Sequence, residues 1–480
     1  MNRQVRRLGL ALLVLFSALF LQLSYLHVVR ADRLSRDPRN TRTAIRDFSR
    51  ARGVIQTADG VVLARSVRVA SELQQQREYP EGDLFAHVAG YYSFTFGSEG
   101  LERTYHDELA GRTEDLRSLT DILVDRTRTG DLTLTLTKRL QQVARDALGT
   151  QRGSVVALDP RTGAVLAMVS YPSFDPNLLA AHDQASVRQA WDTLNADPTR
   201  PLLPRAYRER YSPGSTFKVV TAAAALERAP ELVDKAYPVL RELDLPLTDR
   251  NLPNFGGGAC GGTLANILRV SCNTAFAQMG LDLGAERLGA EAADFGFNRR
   301  PPLDLPVVAE SVFPPPAAFV RNEPALAQSA IGQRDVAASP LQMALVAAAI
   351  GNGGVAMAPH VVAEIRNDEG ELARSATPEL WARAMSSANA GALRDMMVAV
   401  VANGTGTRAA LPGITVAGKT GTAQTEGDNA HAWFIAFAPA EAPAIAIAVI
   451  VESQPELSEA TGGRVAAPIA RAVMDAALRG

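Results

Sequence analysis

The chain has 480 residues, 47% of them hydrophobic, and a formal net charge of −2. That length exceeds one ordinary core and implies two or more domains. The near-balanced charge, with no strongly basic block and no fixed-period repeat, argues against nucleic acid as a partner.

Leu8 to Val29 carry no charged side chain. At about 1.5 Å per residue a helix of that length reaches about 33 Å, enough to cross a bilayer. The run is long for a signal peptide and no small-x-small cleavage site follows it, so residues 8–29 read as an uncleaved anchor after a short tail, 1–7. Charge does not orient the span, because Arg3, Arg6 and Arg7 precede it and Arg30, Arg33, Arg36 and Arg39 follow. Residues 30–135 read as a small mixed non-catalytic domain, a pedestal or dimerisation-like spacer or docking domain, with Arg52–Ile55 and Gly60–Ala64 as short strands and no catalytic constellation.

Residues 136–480 form the second domain. Just before it Leu132–Leu136 alternates like a half-buried strand, and Lys138–Leu148 has helical spacing. Ser154–Leu158 and Ala164–Val169 flank a turn at Asp159-Pro160-Arg161-Thr162-Gly163, which predicts a hairpin. Helical periodicity follows in Phe217–Leu226, Ala265–Leu283 and Leu341–Ile350. Ile414–Ala417, Trp433–Ala438 and Ala444–Val451 read as strands, and Val465–Leu478 as a closing helix. Strands at both ends with helices between predict an α/β (α+β) fold, a sheet covered by helices to which the chain returns.

Lysine occurs only at 138, 218, 235 and 419, against forty-five arginines. Arginine keeps its proton near neutrality, whereas a buried lysine can lose it. Lysine is therefore expected where an ammonium or a free amine is needed. Ser215-Thr216-Phe217-Lys218, after Ser212-Pro213-Gly214, places a serine and a lysine on one face of a starting helix. A serine hydroxyl needs a base to become a nucleophile, and a lysine with a lowered pKa is one. Ser271-Cys272-Asn273 offers a hydroxyl to relay protons and an amide to hold a peptide. Lys419-Thr420-Gly421-Thr422 follows a strand-like run. It supplies a cation for a carboxylate, a strand end able to pair with an extended peptide, and a glycine where substrate approaches closely. Gly413–Thr420 also fits the phosphate-binding pattern G-x-x-x-x-G-K-[ST]. That loop needs a helix directly after it, and the polar run 421–428 has no helical period.

Each motif alone is weak, but S-x-x-K, S-x-N and K-T-G in this order form one signature set. On these motifs the chain resembles a class B penicillin-binding protein of the actinobacterial type. Asn40-Thr41-Arg42, Arg52-Gly53, Tyr171–Asn177, Gly332-Gln333, Ser339–Ala344 and Asn352-Gly353-Gly354 extend the likeness over nearly the whole chain. The resemblance implies a β-lactamase-like transpeptidase domain with a five-stranded antiparallel sheet. It implies a peptidoglycan D,D-transpeptidase that releases D-Ala through a serine acyl-enzyme and is acylated by β-lactams. Ser215 would be the nucleophile, Lys218 its base, and Ser271 the relay to the leaving group, assisted by Lys419. Asn273 would hold the substrate amide; Lys419, Thr420, Gly421 and Thr422 would flank its terminal carboxylate. The backbone N–H groups of Ser215 and Thr422 would form the oxyanion hole.

The implied partners are stem peptides and β-lactams, the plasma membrane through residues 8–29, and cell-wall assembly proteins such as a glycosyltransferase. The catalytic domain would lie outside the cytoplasm. No cofactor or metal is implied, and the six histidines show no ligand spacing. Cys260 and Cys272, the only cysteines, read either as buried thiols or as a disulfide, which an extracytoplasmic domain allows. The disulfide is the preferred reading, because the glycines around Cys260 let the loop close. Two other functions use the same residues: hydrolysis by a D,D-carboxypeptidase or β-lactamase, and a non-catalytic cell-wall scaffold.

Overall fold

The computed structural model describes residues 2–26, 41–71, 73–111, 129–425, 430–453 and 461–479. Residues 27–29 of the expected span, Asn40 and the arginines at 30, 33, 36 and 39 lie outside the described residues. The chain divides into two units, 1–51 with 67–76, and 52–66 with 77–480. In the first, α1 (Asn2–Ser24) is long and apolar enough, over Arg3–Ser24, to cross a membrane. Its leucines and phenylalanines are exposed all round, as in a helix with no protein core to join.

The second unit is built around two large sheets, with smaller two-stranded ones beside them. The elements named below are β1 (Ile55–Gln56), β2 (Val62–Arg68), β3 (Asp131–Leu134), α2 (Lys138–Leu148), β4 (Gly153–Leu158), β5 (Val165–Tyr171), α3 (Lys218–Arg228), α4 (Leu264–Arg269), α5 (Asn273–Asp294), α6 (Pro340–Gly351), β6 (Val362–Arg366), β7 (Leu372–Ser375), β8 (Ala417–Gln424), β9 (Ala430–Ala438), β10 (Ile445–Val451) and α7 (Ala467–Arg479). In the mixed sheet, six strands run β7-β6-β3-β1-β2 and then Gln75–Glu78. The alternation seen in the sequence holds in β3, where Leu132 and Leu134 are buried and Asp131 and Thr133 half-buried. β3 pairs parallel with β1 and antiparallel with β6, Ile365 facing Leu132. Two strands from beyond residue 360 thus join a sheet that begins near residue 55, because the apolar edge of β3 is covered from that side.

Glu102 sits fully buried beside this sheet, with Arg52 Nη2 at 2.8 Å and Arg77 Nε at 2.5 Å. Burial opposes its ionisation, but the Arg77 and Arg52 charges hold its carboxyl below the usual range.

The second sheet is antiparallel with order β8-β9-β10-β4-β5. Its strands are almost wholly buried, and alternate residues face two cores. Val155, Ala157, Phe434 and Val449 pack with α2 and α7. Val156, Met168, Ile435 and Ile450 pack with α6, a helix buried on all sides. α2 starts where Thr137 caps it, its hydroxyl accepting from Leu140 N at 3.3 Å; α6 starts at a Ser339 cap followed by Pro340.

Two expectations need correction. The strand expected over Ile414–Ala417 starts at Ala417 and runs through the K-T-G residues to Gln424, where Thr420, Gly421 and Thr422 pair with Phe434, Trp433 and Ala432. The apolar partner β9 makes a strand of residues whose own polarity suggests a turn. The helix expected over Ala265–Leu283 breaks at Val270–Cys272 into α4 and α5.

Replacing Glu102 by leucine should leave two buried guanidinium groups unpaired and cost about 3–5 kcal/mol. The depressed carboxyl makes its contribution above its unfolded pKa and loses it as pH falls through the folded value. Urea unfolding of native protein and Glu102→Leu, at neutral pH and in acid, should show a gap that narrows in acid.

Candidate active site

The segment carrying Ser215 is pinned at several points before it turns into a helix. Tyr211 exchanges both backbone hydrogen bonds with Ala338, at 3.0 and 2.8 Å. Trp433 Nε1 donates to Ser212 O at 3.1 Å, and Gly214 N to Gly332 O at 2.8 Å. Gly332 has φ +72°, and a Cβ there would stand 2.2 Å from the Gly214 carbonyl oxygen. Gly214–Phe217 forms one 3-10 turn that runs into α3. Phe217 is buried and stacks on Phe313. Ser215 is half-buried and opens to the cleft.

Lys218, one turn on, is fully buried. Its Nζ donates to Asn273 Oδ1 at 2.7 Å and Ser271 O at 2.8 Å, with Ser271 Oγ at 3.4 Å. Lys419 on β8 is equally buried, and its Nζ donates to Ser271 Oγ and Thr420 O, both at 2.8 Å. Neither amine makes an ion pair among the described residues, whereas Lys138 and Lys235 pair with Glu81 and Asp282 at the surface. Burial pushes Lys419 down to about 7. Burial, with the Lys419 charge second, pushes Lys218 well below the usual lysine range.

Ser271 owes its position to the way α4 ends. It has φ +60°, its N–H reaches Leu268 O at 3.2 Å, and Cys272 N–H reaches Ile267 O at 2.9 Å. This is the paired bonding of a Schellman turn, with serine where glycine is usual, so a hydroxyl is projected from the helix end. Cys272 is bonded to Cys260, the Cα atoms 5.8 Å apart. Asn254 locks the same loop: its Oδ1 accepts from Thr274 N at 3.0 Å, and its Nδ2 donates to Leu240 O at 2.8 Å and Gly258 O at 3.0 Å. Nothing in the sequence singles Asn254 out, since asparagine before glycines reads as an ordinary turn.

β8 is an edge strand, open on the side away from β9. Thr420 Oγ1 lies 2.6 Å from Thr405 Oγ1, a contact across fifteen residues with no motif to announce it. Gly421 is buried, and a Cβ there would come within 2.9 Å of Thr216 Cγ2 and 3.0 Å of the Pro213 carbonyl. The close approach expected of substrate is made here by the protein itself, which seats the serine segment on the strand. Ser215, Ser271, Asn273, Thr420 and Thr422 line one cleft of about 1160 Å³, with the two lysine amines beneath.

The chain matches known proteins over most of its length. Residues 153–475 match the penicillin binding protein transpeptidase domain, and residues 52–132 the penicillin binding protein A dimerisation domain. The chain is 44% identical to the peptidoglycan D,D-transpeptidase PbpA of Mycolicibacterium smegmatis, over 100% of this chain and 99% of that protein. It is 41% identical to the Mycobacterium tuberculosis PbpA over the whole of both. A structure of penicillin-binding protein A from M. tuberculosis, as a ceftriaxone acyl-enzyme, superposes with TM-score 0.84 at 40% identity, covering 90% of this chain and 100% of that one.

The lowered pKa of Lys419 sets a pH dependence. Between about 7 and the ordinary lysine value of 10.5, the unfolded chain holds a proton that the folded chain has released, so this group makes stability rise with pH. Lys419→Met removes the buried amine and should be more stable than the native protein below pH 7, with the gap shrinking towards pH 10. Urea midpoints for the two proteins across that range would test it.

Proposed function

The chain belongs to the penicillin-binding protein transpeptidase family, and on that premise we propose how its own residues carry the reaction. It is a peptidoglycan D,D-transpeptidase of class B, acylated by β-lactams. The observation that carries the assignment of roles is the meeting of both buried lysines on the Ser271 hydroxyl.

A neutral amine has two N–H donors and one lone pair. Lys218 has two short acceptors, Asn273 Oδ1 and Ser271 O, so in its neutral form the lone pair remains for the Ser215 proton. Ser215 Oγ attacks the carbonyl of the penultimate D-Ala while Lys218 takes that proton. The resulting oxyanion faces the backbone N–H groups of Ser215 and Thr422, one such donor being worth about 3 kcal/mol. The C–N bond then breaks, and the terminal D-Ala leaves with a proton passed through Ser271 Oγ, which both lysines flank. A stem-peptide amine attacks the acyl-enzyme, returns its proton by the same route, and frees Ser215 as the cross-link forms. Thr420, Thr422 and the Lys419 charge hold the terminal carboxylate, and Asn273 holds the peptide amide.

Residues 8–29 anchor the chain in the plasma membrane, with residues 1–7 inside and the rest outside, where substrate is found and a disulfide persists. Residues 30–135 serve as a docking domain for cell-wall assembly proteins such as a glycosyltransferase, and 136–480 as the catalytic domain.

The full-length protein in detergent, incubated with a penicillin, should gain a stable mass adduct on the peptide containing Ser215, absent in Ser215→Ala. Rapid release of hydrolysed drug would point to a β-lactamase, and no adduct on folded protein would point to a scaffold. Arginine cannot give up its proton, so Lys218→Arg should acylate at least about a hundredfold more slowly. An unchanged rate would remove Lys218 as the base.

A further inference from the structure

The cleft extends well beyond the nucleophile, along the loop after Glu323–Ser329 and the hairpin of Glu242–Asp244 with Asn251–Pro253. Among the described residues that line it, the charged ones are Arg250 and Arg334, and no carboxylate joins them. The described part of the cleft thus carries positive charge in a chain whose net charge is −2, which favours an anionic ligand.

Arg334 is the better placed of the two. It follows Gly332-Gln333, and Gly332 is bonded to Gly214, the neighbour of Ser215. Its φ is +62°, in the left-handed region that favours glycine. Its ion-pair partner is the adjacent Asp335 at 3.7 Å, and both side chains are in water, where such a pair is weak. The side chain of Arg250, from the hairpin, makes no ion pair among the described residues. A guanidinium that lines the nucleophile's cleft and has no buried partner is available to a carboxylate, which it can bind through two parallel hydrogen bonds.

We propose that Arg334, supported by Arg250, forms a subsite for a second carboxylate of the donor stem peptide, upstream of the D-Ala-D-Ala whose terminal carboxylate lies at Thr420 and Thr422. This rests on the transpeptidase reading above. It makes the enzyme sensitive to whether acidic groups of the stem are free or amidated.

The test uses full-length protein and paired peptides ending in D-Ala-D-Ala, with one upstream side-chain carboxylate free in one peptide and amidated in the other. Each competes with a fluorescent penicillin for labelling of Ser215. The native enzyme should prefer the free carboxylate by about tenfold. Arg334→Gly suits the backbone and lacks the guanidinium, and should bring the ratio close to one; Arg250→Ala should fall between. Arg334→Asn, which tolerates the same φ, repeats the test if the glycine variant misfolds. A native ratio near one, or a native ratio retained without Arg334, overturns the subsite and leaves the transpeptidase reading standing. Failure of the penicillin to label Ser215 would overturn both.

Discussion

Two amines without counter-charges meet at one serine hydroxyl, and much of the architecture serves to keep them there. Buried ammonium groups are costly unless paired, and no carboxylate pairs with either Lys218 or Lys419 among the described residues. The structure meets that cost with carbonyl, amide and hydroxyl oxygens, which stabilise an amine without fixing its proton. An acidic partner would raise both pKa values and lock the protons in place. The three contributing pieces lie far apart in the chain: a helix start at 215–218, a helix end at 271, and mid-strand residue 419. Their meeting depends on the sheet, on the helices packed against it, and on the glycines that let the serine segment rest on β8.

The fold is most legible in the sequence where local chemistry is self-sufficient. The helix at 138–148 has its own cap and period, and β4 to β5 is a hairpin around a proline–glycine turn. The five-stranded antiparallel sheet, implied by resemblance, is present. The motif residues were identifiable because the chemistry demands particular groups in a fixed order. Other features were invisible because distant residues create them. The K-T-G strand extends past its apolar stretch because β9 dictates the pairing. Ser271 adopts a left-handed turn because α4 ends there and Cys272 is tied to Cys260. Asn254 and Thr405 matter through atoms they meet across a fold, and no local pattern encodes such meetings.

The lysine count, by contrast, carried physical information. Two of the four lysines are ordinary surface ion-pair partners, and the other two are the buried amines of the site. Arginine can replace lysine where only a charge is needed, but not where a nitrogen must lose its proton. A chain that otherwise uses arginine almost everywhere keeps lysine at the two positions where the proposed reaction calls for a nitrogen that can lose its proton.

The pairing of β3 with β6 also constrains how the protein is made. Residue 134 leaves the ribosome well before residue 362, and at about 5–20 residues per second the interval is roughly 10 to 45 seconds. Through that time the growing chain holds an unfinished sheet with an apolar edge, the kind of edge that pairs with the wrong chain. If the segment is also being moved across a membrane, the N-terminal sheet cannot close until most of the catalytic domain has followed. Maturation of the two regions is therefore a single event, and a chain halted between residues 135 and 360 would present an open edge to whatever chaperone or protease meets it first.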